Sequence, residues 1–364
     1  MLKDLTFYVV LFVLILADSC QFNNRNTDQK QDSSAAAVTS TFCSLESPLN
    51  ASSFKTGDVV PFRIKIRDSI QKIDSIRLLN NGKVTGFSTN SSFDWTSENS
   101  KVGQIWVKLE IYLRNQKPEY YGIVLNILSD IVPVQYDYKI INVYPHDKEA
   151  YTQGLQYEDG ILYESTGLYR QSTLRKEKLK TGEIINSIKL DDKIFAEGMV
   201  KVQNKIYQIT YREQVGFVYD ASTFKVLQKF NLPLREGWGM TYDGKHLLIS
   251  DGSSNVYFFD KDNFTLTEQI QIASNTDIYE SINKMEYIQG KVYANVYTKD
   301  IVLIFDPQTG KVTGIVDFKG LLPEADHTEN TDVLNGIAYI PANKHLLVTG
   351  KNWPKLFEVE LIKK

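Results

Sequence analysis

The sequence predicts an all-β protein in which a small β-sandwich precedes a five-bladed β-propeller. The 364 residues include 21 tyrosines and 18 phenylalanines, residue types that favour strands. Residues 44–130 alternate apolar and polar side chains with a period of two, as strands do. Residues 134–364 repeat one pattern of short strands and turns about every 40–50 residues, a spacing typical of propellers and solenoids.

The composition excludes several classes of function. Lysine plus arginine number 41 and aspartate plus glutamate 44, which gives a net charge of −3, and no basic stripe marks a nucleic-acid partner. Two cysteines cannot build a disulfide framework. The four scattered histidines form no HExxH motif, and the chain has no CxxC pair. We therefore expect no nucleic-acid partner, no metal site of histidine or thiolate ligands, and no cofactor.

Residues 1–20 are typical of an export signal. Lys3 precedes an apolar run of eleven residues, too short for the roughly 20 that span a bilayer but suited to a signal-peptide core. Cys20 follows, and the stretch resembles a bacterial lipoprotein signal, in which the cysteine is lipidated, although Asp18 departs from that pattern. We expect a periplasmic or outer-membrane-anchored protein that meets the membrane only through lipid on Cys20. Ordinary secretion is the alternative.

A polar segment and then a small folded region follow the signal. Residues 21–43 lack aromatic clusters and periodicity, so we interpret them as a flexible tether. Apolar residues then alternate in three strands: Phe62, Ile64 and Ile66; Ile105, Val107, Leu109 and Ile111; Tyr121, Ile123, Leu125 and Ile127. Asn81-Gly82 is a hairpin turn signal. Residues 44–130 therefore predict an immunoglobulin-like β-sandwich with a spacer or stabilising role. A carbohydrate- or partner-binding role is the alternative.

Five repeats make up residues 134–364. Each opens with a polar residue or glycine, continues through an apolar strand and a short turn, and returns in a second apolar strand. The opening positions are Gly154, Gly198, Gly239, Lys284 and Gly336, spaced 44, 41, 45 and 52 residues apart. Five such units predict five blades. Because a propeller must close to hide its sheet edges, we expect residues 138–142 to pair with residues 356–361.

Polar residues stand at the repeat openings, which meet at the mouth of a propeller's central channel. They are Gln153, Glu197, Trp238, Asn283 and Asn335, with Lys351 after the last repeat's strand. A carboxylate, an amine, amides and an indole in one hollow suit a small polar substrate. Other interpretations stay open from the residues alone. The opening glycines, Asp251 and Asp332 are also compatible with turn roles, and Glu164 and Glu286 are alternatives to Glu197 as the site carboxylate.

The repeats also resemble a known family, the β-propeller glutaminyl-peptide cyclotransferases of plants and bacteria. The matching segments occur in the same order across residues 140–361: YTQGL (151–155), ESTGLY (164–169), FAEG (195–198), GWG (237–239), SDGS (250–253), NKMEY (283–287), DVLNGIA (332–338) and VTGKNWPKLFE (348–358). The tether and the N-terminal sandwich lie outside the resemblance.

The resemblance implies an enzyme that converts the N-terminal glutamine of a peptide or protein to pyroglutamate and releases ammonia, without the zinc site of animal-type cyclases. By position, Glu197 is the acid/base, and the pocket is lined by Gln153, Trp238, Asn283 and Lys351. Tyr211 and Tyr297 replace tryptophans of the plant pattern, which puts pocket shape in question. Arg170 and Ala196 stand where the pattern usually has glycine.

The chemistry leaves two points open at this stage. Burial would raise the pKa of Glu197 and a nearby Lys351 would oppose that rise. The Trp238 indole, the Asn283 amide and Lys351 are all candidate donors to an oxyanion. Two other functions are compatible with the fold: a non-catalytic propeller that binds peptide N-termini or a protein partner, and a hydrolase or lyase acting on another small ligand.

Overall fold

The computed structural model describes residues 42–97 and 101–364, which form strands joined by turns and, within these ranges, a single 3₁₀ turn at Glu324–Asp326. The predicted signal, the lipidation site at Cys20 and the tether up to residue 41 lie outside the described residues. No helix in the described part of the chain is both long and apolar enough to cross a membrane.

Two sheets share one core in the N-terminal region. The strands are β1 (Cys43–Ser47), β2 (Ser52–Lys55), β3 (Val59–Ile66), β4 (Ile73–Asn80), β5 (Lys83–Ser88), β6 (Ser92–Thr96), β7 (Gly103–Leu113) and β8 (Glu119–Leu128). One sheet has the order β1-β3-β6 and the other β2-β8-β7-β4-β5. The alternating residues Phe62, Leu109 and Leu125 are fully buried between them, as the period of two predicts.

The predicted hairpin turn at Asn81-Gly82 is present in this region. Asn81 and Gly82 join β4 to β5 with φ of 49° and 74°, the left-handed pair that a two-residue hairpin turn requires. Cys43, predicted as the last residue of the tether, is buried and begins the first strand.

Residues 134–363 form a long strand and five groups of strands. The long strand is β9 (Val134–Pro145). The groups are β10 (Thr152–Glu158), β11 (Ile161–Thr166), β12 (Thr173–Lys178) and β13 (Ile184–Lys189); β14 (Ala196–Val202), β15 (Lys205–Thr210), β16 (Val215–Asp220) and β17 (Val226–Asn231); β18 (Met240–Tyr242), β19 (His246–Ser250), β20 (Asn255–Asp260) and β21 (Leu266–Gln271); β22 (Ile282–Ile288), β23 (Lys291–Val296), β24 (Ile301–Phe305) and β25 (Val312–Asp317); and β26 (Leu334–Ile340), β27 (His345–Gly350) and β28 (Lys355–Lys363). Each group is antiparallel in chain order.

The first and last strands of this region close it. β9 pairs antiparallel with β28, with Tyr144 opposite Leu356 and Tyr138 opposite Leu361. The predicted pairing of residues 138–142 with 356–361 is therefore confirmed. The start of β9 also pairs in parallel with β25, with Val134 opposite Gly314, so β9 joins the fourth group to the fifth.

The opening glycines let the first strands of the groups approach one another. Strands β10, β14, β18, β22 and β26 contact each other in that order, and β26 contacts β10, which closes a ring. A Cβ atom on Gly239 would lie 1.9 Å from the Asn283 carbonyl oxygen, and one on Gly198 would lie 2.4 Å from the Met240 nitrogen. Such distances exclude any side chain, so at these positions the reason for glycine is close backbone approach and the turn interpretation is wrong.

The N-terminal sheets pack against the outer edge of the ring. The Gln271 side chain accepts a hydrogen bond from the Gln104 amide (2.8 Å) and donates one to the Gln104 carbonyl (3.1 Å). Lys311 pairs with Asp130 at 2.6 Å. The two regions keep separate cores but belong to one compact unit.

Candidate active site

A cavity of about 190 Å³ opens where the first strands of the ring begin. Its lining residues are Tyr151, Gln153, Phe195, Glu197, Tyr211, Trp238, Asn283, Tyr297 and Lys351. The seven residues that the family resemblance assigns to the site are all among them, whereas Asn335, which the repeat openings also predicted, is not. The strand order explains the convergence, because the start of the first strand of a group and the end of its antiparallel second strand lie at the same edge. Gln153 and Glu197 occupy the first kind of position, and Tyr211 and Lys351 follow the second.

Glu197 is a buried carboxyl group that is 5% exposed. Oε1 accepts a hydrogen bond from Gln153 Nε2 at 3.0 Å, and the buried Oε2 has no partner among residues 42–97 and 101–364. Burial raises the pKa of Glu197 well above its usual value, against the charge of Lys351, and Glu213 and Glu236 add to the rise. The sequence left open whether burial or the charge of Lys351 has the larger effect on the Glu197 pKa. In the structure burial has the larger effect.

Two chains of buried hydrogen bonds hold Glu197 in place. Ser165 Oγ donates to the Glu197 carbonyl at 2.6 Å, and Gln208 Nε2 donates to Ser165 Oγ at 2.8 Å. On the other side, Asn335 Nδ2 donates to Gln153 Oε1 at 3.0 Å. Asn335, predicted at the mouth of the channel, thus lies one residue behind the cavity wall and contacts the site through Gln153.

Lys351 lies between two aromatic rings. Its Nζ is 4.5 Å from the centroid of the Tyr151 ring and 4.9 Å from that of Tyr297, distances typical of cation–π contacts. The side chain is buried. Burial lowers the pKa of Lys351, whereas the carboxyl groups of Glu197 and Asp332 raise it. The cavity therefore holds an amine and a carboxyl group that are both desolvated.

Aromatic rings form the rest of the wall. Trp238 meets Tyr297 edge to face, with 5.5 Å between ring centroids, and Phe195 packs on Tyr211 at 5.5 Å. Trp238 Nε1 donates to Glu236 Oε2 at 3.0 Å. Since the indole N–H is engaged there, Trp238 offers its ring to the cavity, and its suggested role as an oxyanion donor is wrong for this arrangement.

Two lining residues were missed from the sequence. Tyr151 precedes Gln153 by two positions, and Phe195 precedes Glu197 by two, so applying a period of two to the repeat openings would have indicated these aromatic residues. The Tyr151 hydroxyl donates to Asp332 Oδ2 at 3.0 Å. Asp332 therefore supports the cavity wall through Tyr151.

The rival acidic residues lie outside the cavity. Glu164 is fully buried, accepts a hydrogen bond from Thr152 Oγ1 (2.7 Å) and lies 3.2 Å from His146 Nε2. Glu286 pairs with Lys284 at 2.9 Å. Asp251 accepts a hydrogen bond from the Ser253 backbone amide at 3.0 Å, a turn-capping contact.

The two departures from the family pattern have different settings. Arg170 has φ of 68°, in the left-handed region, which explains why glycine is favoured there. Ala196 is fully buried beside Glu197, and its backbone amide donates to Ser172 Oγ at 2.9 Å.

Across residues 42–97 and 101–364, no three or more His, Cys, Asp or Glu side chains are grouped so as to hold a metal ion.

Comparison with known proteins identifies the class of protein that this cavity belongs to. The family model for glutamine cyclotransferase matches residues 122–361. A glutaminyl-peptide cyclotransferase of Arabidopsis thaliana is 35% identical over 228 residues, which cover 61% of this chain and 71% of the relative. The crystal structure of Myxococcus xanthus glutaminyl cyclase is also 35% identical, with a TM-score of 0.59, and the match covers 64% of this chain and 99% of that one. The chain belongs to the glutamine cyclotransferase family.

Proposed function

We propose that this protein cyclises the N-terminal glutamine of peptides or proteins to pyroglutamate and releases ammonia. The catalytic fold is a five-bladed β-propeller, preceded by an immunoglobulin-like sandwich. Family membership supports the reaction. The observation that carries the assignment of the site is a cavity in which a buried carboxyl group, Glu197, lies with Gln153, Asn283 and Lys351 between aromatic walls.

The reaction is intramolecular and needs no enzyme nucleophile. The substrate's α-amine attacks the carboxamide carbon of its own side chain, the new C–N bond closes the ring, and the C–NH₂ bond breaks. The protein must hold the side chain curled, and freezing that geometry removes an entropic part of the barrier. The rings of Phe195, Trp238 and Tyr297 form walls that favour such a folded side chain.

Glu197 serves both proton transfers in this proposal. As a carboxylate it takes a proton from the α-amine, and as the resulting acid it gives one to the departing nitrogen. Burial raises the pKa of Glu197, which makes its carboxylate a stronger base than that of an exposed glutamate. General acid–base catalysis of this kind contributes roughly 10²–10⁴-fold.

Lys351 stabilises the tetrahedral intermediate, and Asn283 binds the substrate. Attack places negative charge on the carboxamide oxygen, and a desolvated ammonium group is a strong partner for it. The Asn283 side chain is buried on the cavity wall, and its Oδ1 has no partner. That atom suits the substrate's N–H groups. Gln153 keeps Glu197 in place through the 3.0 Å hydrogen bond.

Cell location and clients follow from the same proposal. If the export signal and Cys20 act as the sequence predicts, the clients are secreted or periplasmic proteins with N-terminal glutamine, and the lipid on Cys20 is the contact with the membrane. The N-terminal sandwich then acts as a spacer between the membrane and the catalytic ring.

The test is a turnover assay on the full secreted chain. A short peptide that begins with glutamine should lose one ammonia molecule, measured as ammonia and by mass spectrometry, and a peptide that begins with asparagine serves as a control for the length of the side chain. Retention of the glutamine peptide without any turnover would favour the non-catalytic binding alternative. Turnover of lactones or sugars instead would favour the hydrolase or lyase alternative.

A further inference from the structure

Asn335 joins the backbone of one strand to the side chain of a site residue. It lies in β26, next to β10, and is 1% exposed. Its Nδ2 donates two hydrogen bonds, to the Thr152 carbonyl at 2.9 Å and to Gln153 Oε1 at 3.0 Å. Gln153 in turn donates from Nε2 to Glu197 Oε1 at 3.0 Å. Three buried side chains therefore form one directed chain.

The direction of this chain is anchored at a backbone atom. An amide side chain has a donor end and an acceptor end of nearly the same shape, so its orientation is decided by its partners. The Thr152 carbonyl can only accept. It therefore requires the Nδ2 end of Asn335, which forces Gln153 to present Oε1 to Asn335 and Nε2 to Glu197.

We propose that Asn335 is a positioning residue that locks the Gln153 amide so that its N–H donor faces Glu197. The inference rests on the proposed function of Glu197 as the acid/base. A donor at this place stabilises the carboxylate form of Glu197, whereas a reversed amide presents an oxygen that only the protonated form can meet with a hydrogen bond. Asn335 thereby sets the pH at which Glu197 becomes a base.

The other groups near Glu197 are not side-chain hydrogen-bond partners of Asn335. Lys351 lowers the pKa of Glu197, and Glu213 and Glu236 raise it. Tyr151, Tyr211 and Tyr297 line the same cavity, and Asp332 faces Lys351 and Tyr151. The Asn335 side chain donates only to the Thr152 carbonyl and to Gln153 among the described residues, so we attribute a change in pH dependence to the Gln153 amide.

The test is a double-mutant cycle read by pH dependence. Asn335→Leu keeps the approximate volume and removes both donors. It should move the acidic limb of the kcat/KM profile to higher pH by about one unit, the effect of losing roughly one hydrogen bond to the carboxylate. In a Gln153→Met background the same substitution should add no further shift.

Asn295→Leu is the matched control. Asn295 is also a buried amide of the ring, and its Oδ1 accepts a hydrogen bond from the Gly336 amide at 3.2 Å, whereas Asn335 and Glu197 are the side-chain hydrogen-bond partners of Gln153 among the described residues. This variant should leave the acidic limb of the kcat/KM profile at its wild-type pH. The proposal would be overturned if folded Asn335→Leu left that limb unmoved, or if Asn335→Leu shifted it equally in the Gln153→Met background.

A readout without turnover separates this proposal from the proposed reaction. Infrared difference titration of the carboxyl stretch, assigned with Glu197→Gln, reports the Glu197 pKa in protein that turns over no substrate. The pKa should rise in Asn335→Leu even if the reaction is assigned wrongly. If Asn335→Leu does not fold, the milder Asn335→Ala takes its place in the same titration, and an unchanged Glu197 pKa would contradict the proposal.

Discussion

Gln153 donates the one hydrogen bond that the Glu197 carboxyl group receives from the described residues, over 3.0 Å, while the second carboxyl oxygen is buried and unpartnered. A buried polar atom left without a partner is costly in a folded protein and is concentrated at functional sites. Glu197 is one of the residues that line the cavity, so we expect a bound substrate amine to supply the missing contact.

Replacing Glu197 by glutamine should abolish most turnover. The amide keeps the size of the side chain but cannot take a proton from the α-amine, so we expect kcat to fall by about 10²–10⁴-fold with a smaller change in KM. Glu360→Gln, at an exposed position, is the matched control and should retain the wild-type rate. Full activity in Glu197→Gln would remove this residue from the mechanism.

The same substitution should change how stability depends on pH. The pKa of Glu197 is raised in the folded state above the value of 4.5 expected for the unfolded chain. At a pH between the unfolded and the folded pKa, the folded protein therefore holds more protons than the unfolded chain. The stability that protonated Glu197 contributes is complete below about pH 4.5 and is lost as pH rises through the folded pKa. Urea unfolding from pH 5 upward should show Glu197→Gln gaining stability relative to wild type, and parallel curves would argue against the raised pKa.

Lys351→Met should lower kcat and also shift the pH dependence of kcat/KM. Loss of the ammonium group removes stabilisation of the oxyanion, which is typically worth about 10²–10³ in kcat. Because the charge of Lys351 also lowers the Glu197 pKa, the acidic limb of kcat/KM should shift to higher pH. Lys319→Met, an exposed substitution, should do neither. A drop in kcat with an unmoved limb would show that Lys351 does not influence Glu197.

Gly239→Ala tests the close approach of the first strands. The added methyl group would meet the Asn283 carbonyl oxygen at 1.9 Å, so β18 and β22 must separate. We expect a loss of about 1–3 kcal/mol or more in the free energy of unfolding, together with weaker activity because Asn283 lines the cavity. Gly86→Ala, whose nearest contact would be a Leu78 side-chain atom at 3.2 Å, should cost much less, as measured by thermal unfolding.

Much of the site was predictable because its residues occupy equivalent places in a repeat. Gln153, Glu197 and Asn283 stand at repeat openings, and Lys351 follows a second strand. The repeat period and the family resemblance located them without any knowledge of distances. The choice of Glu197 over Glu164 and Glu286 was not available from the residues themselves, since all three stand in or near apolar strands. Only the folded chain distinguishes them from Glu197, because there Glu286 pairs with Lys284 and Glu164 accepts a hydrogen bond from Thr152.

The sequence determined the all-β class, the repeat and the pairing of β9 with β28, because alternation and spacing are present along the chain. Together with the family resemblance it also located seven of the nine residues that line the cavity. Tertiary structure alone decided the pKa of Glu197, the engagement of the Trp238 indole with Glu236, and the chain from Asn335 through Gln153 to Glu197. Each of these depends on ångström-scale distances between side chains from different strand groups. Such distances exist only after the ring has closed and removed water from between them.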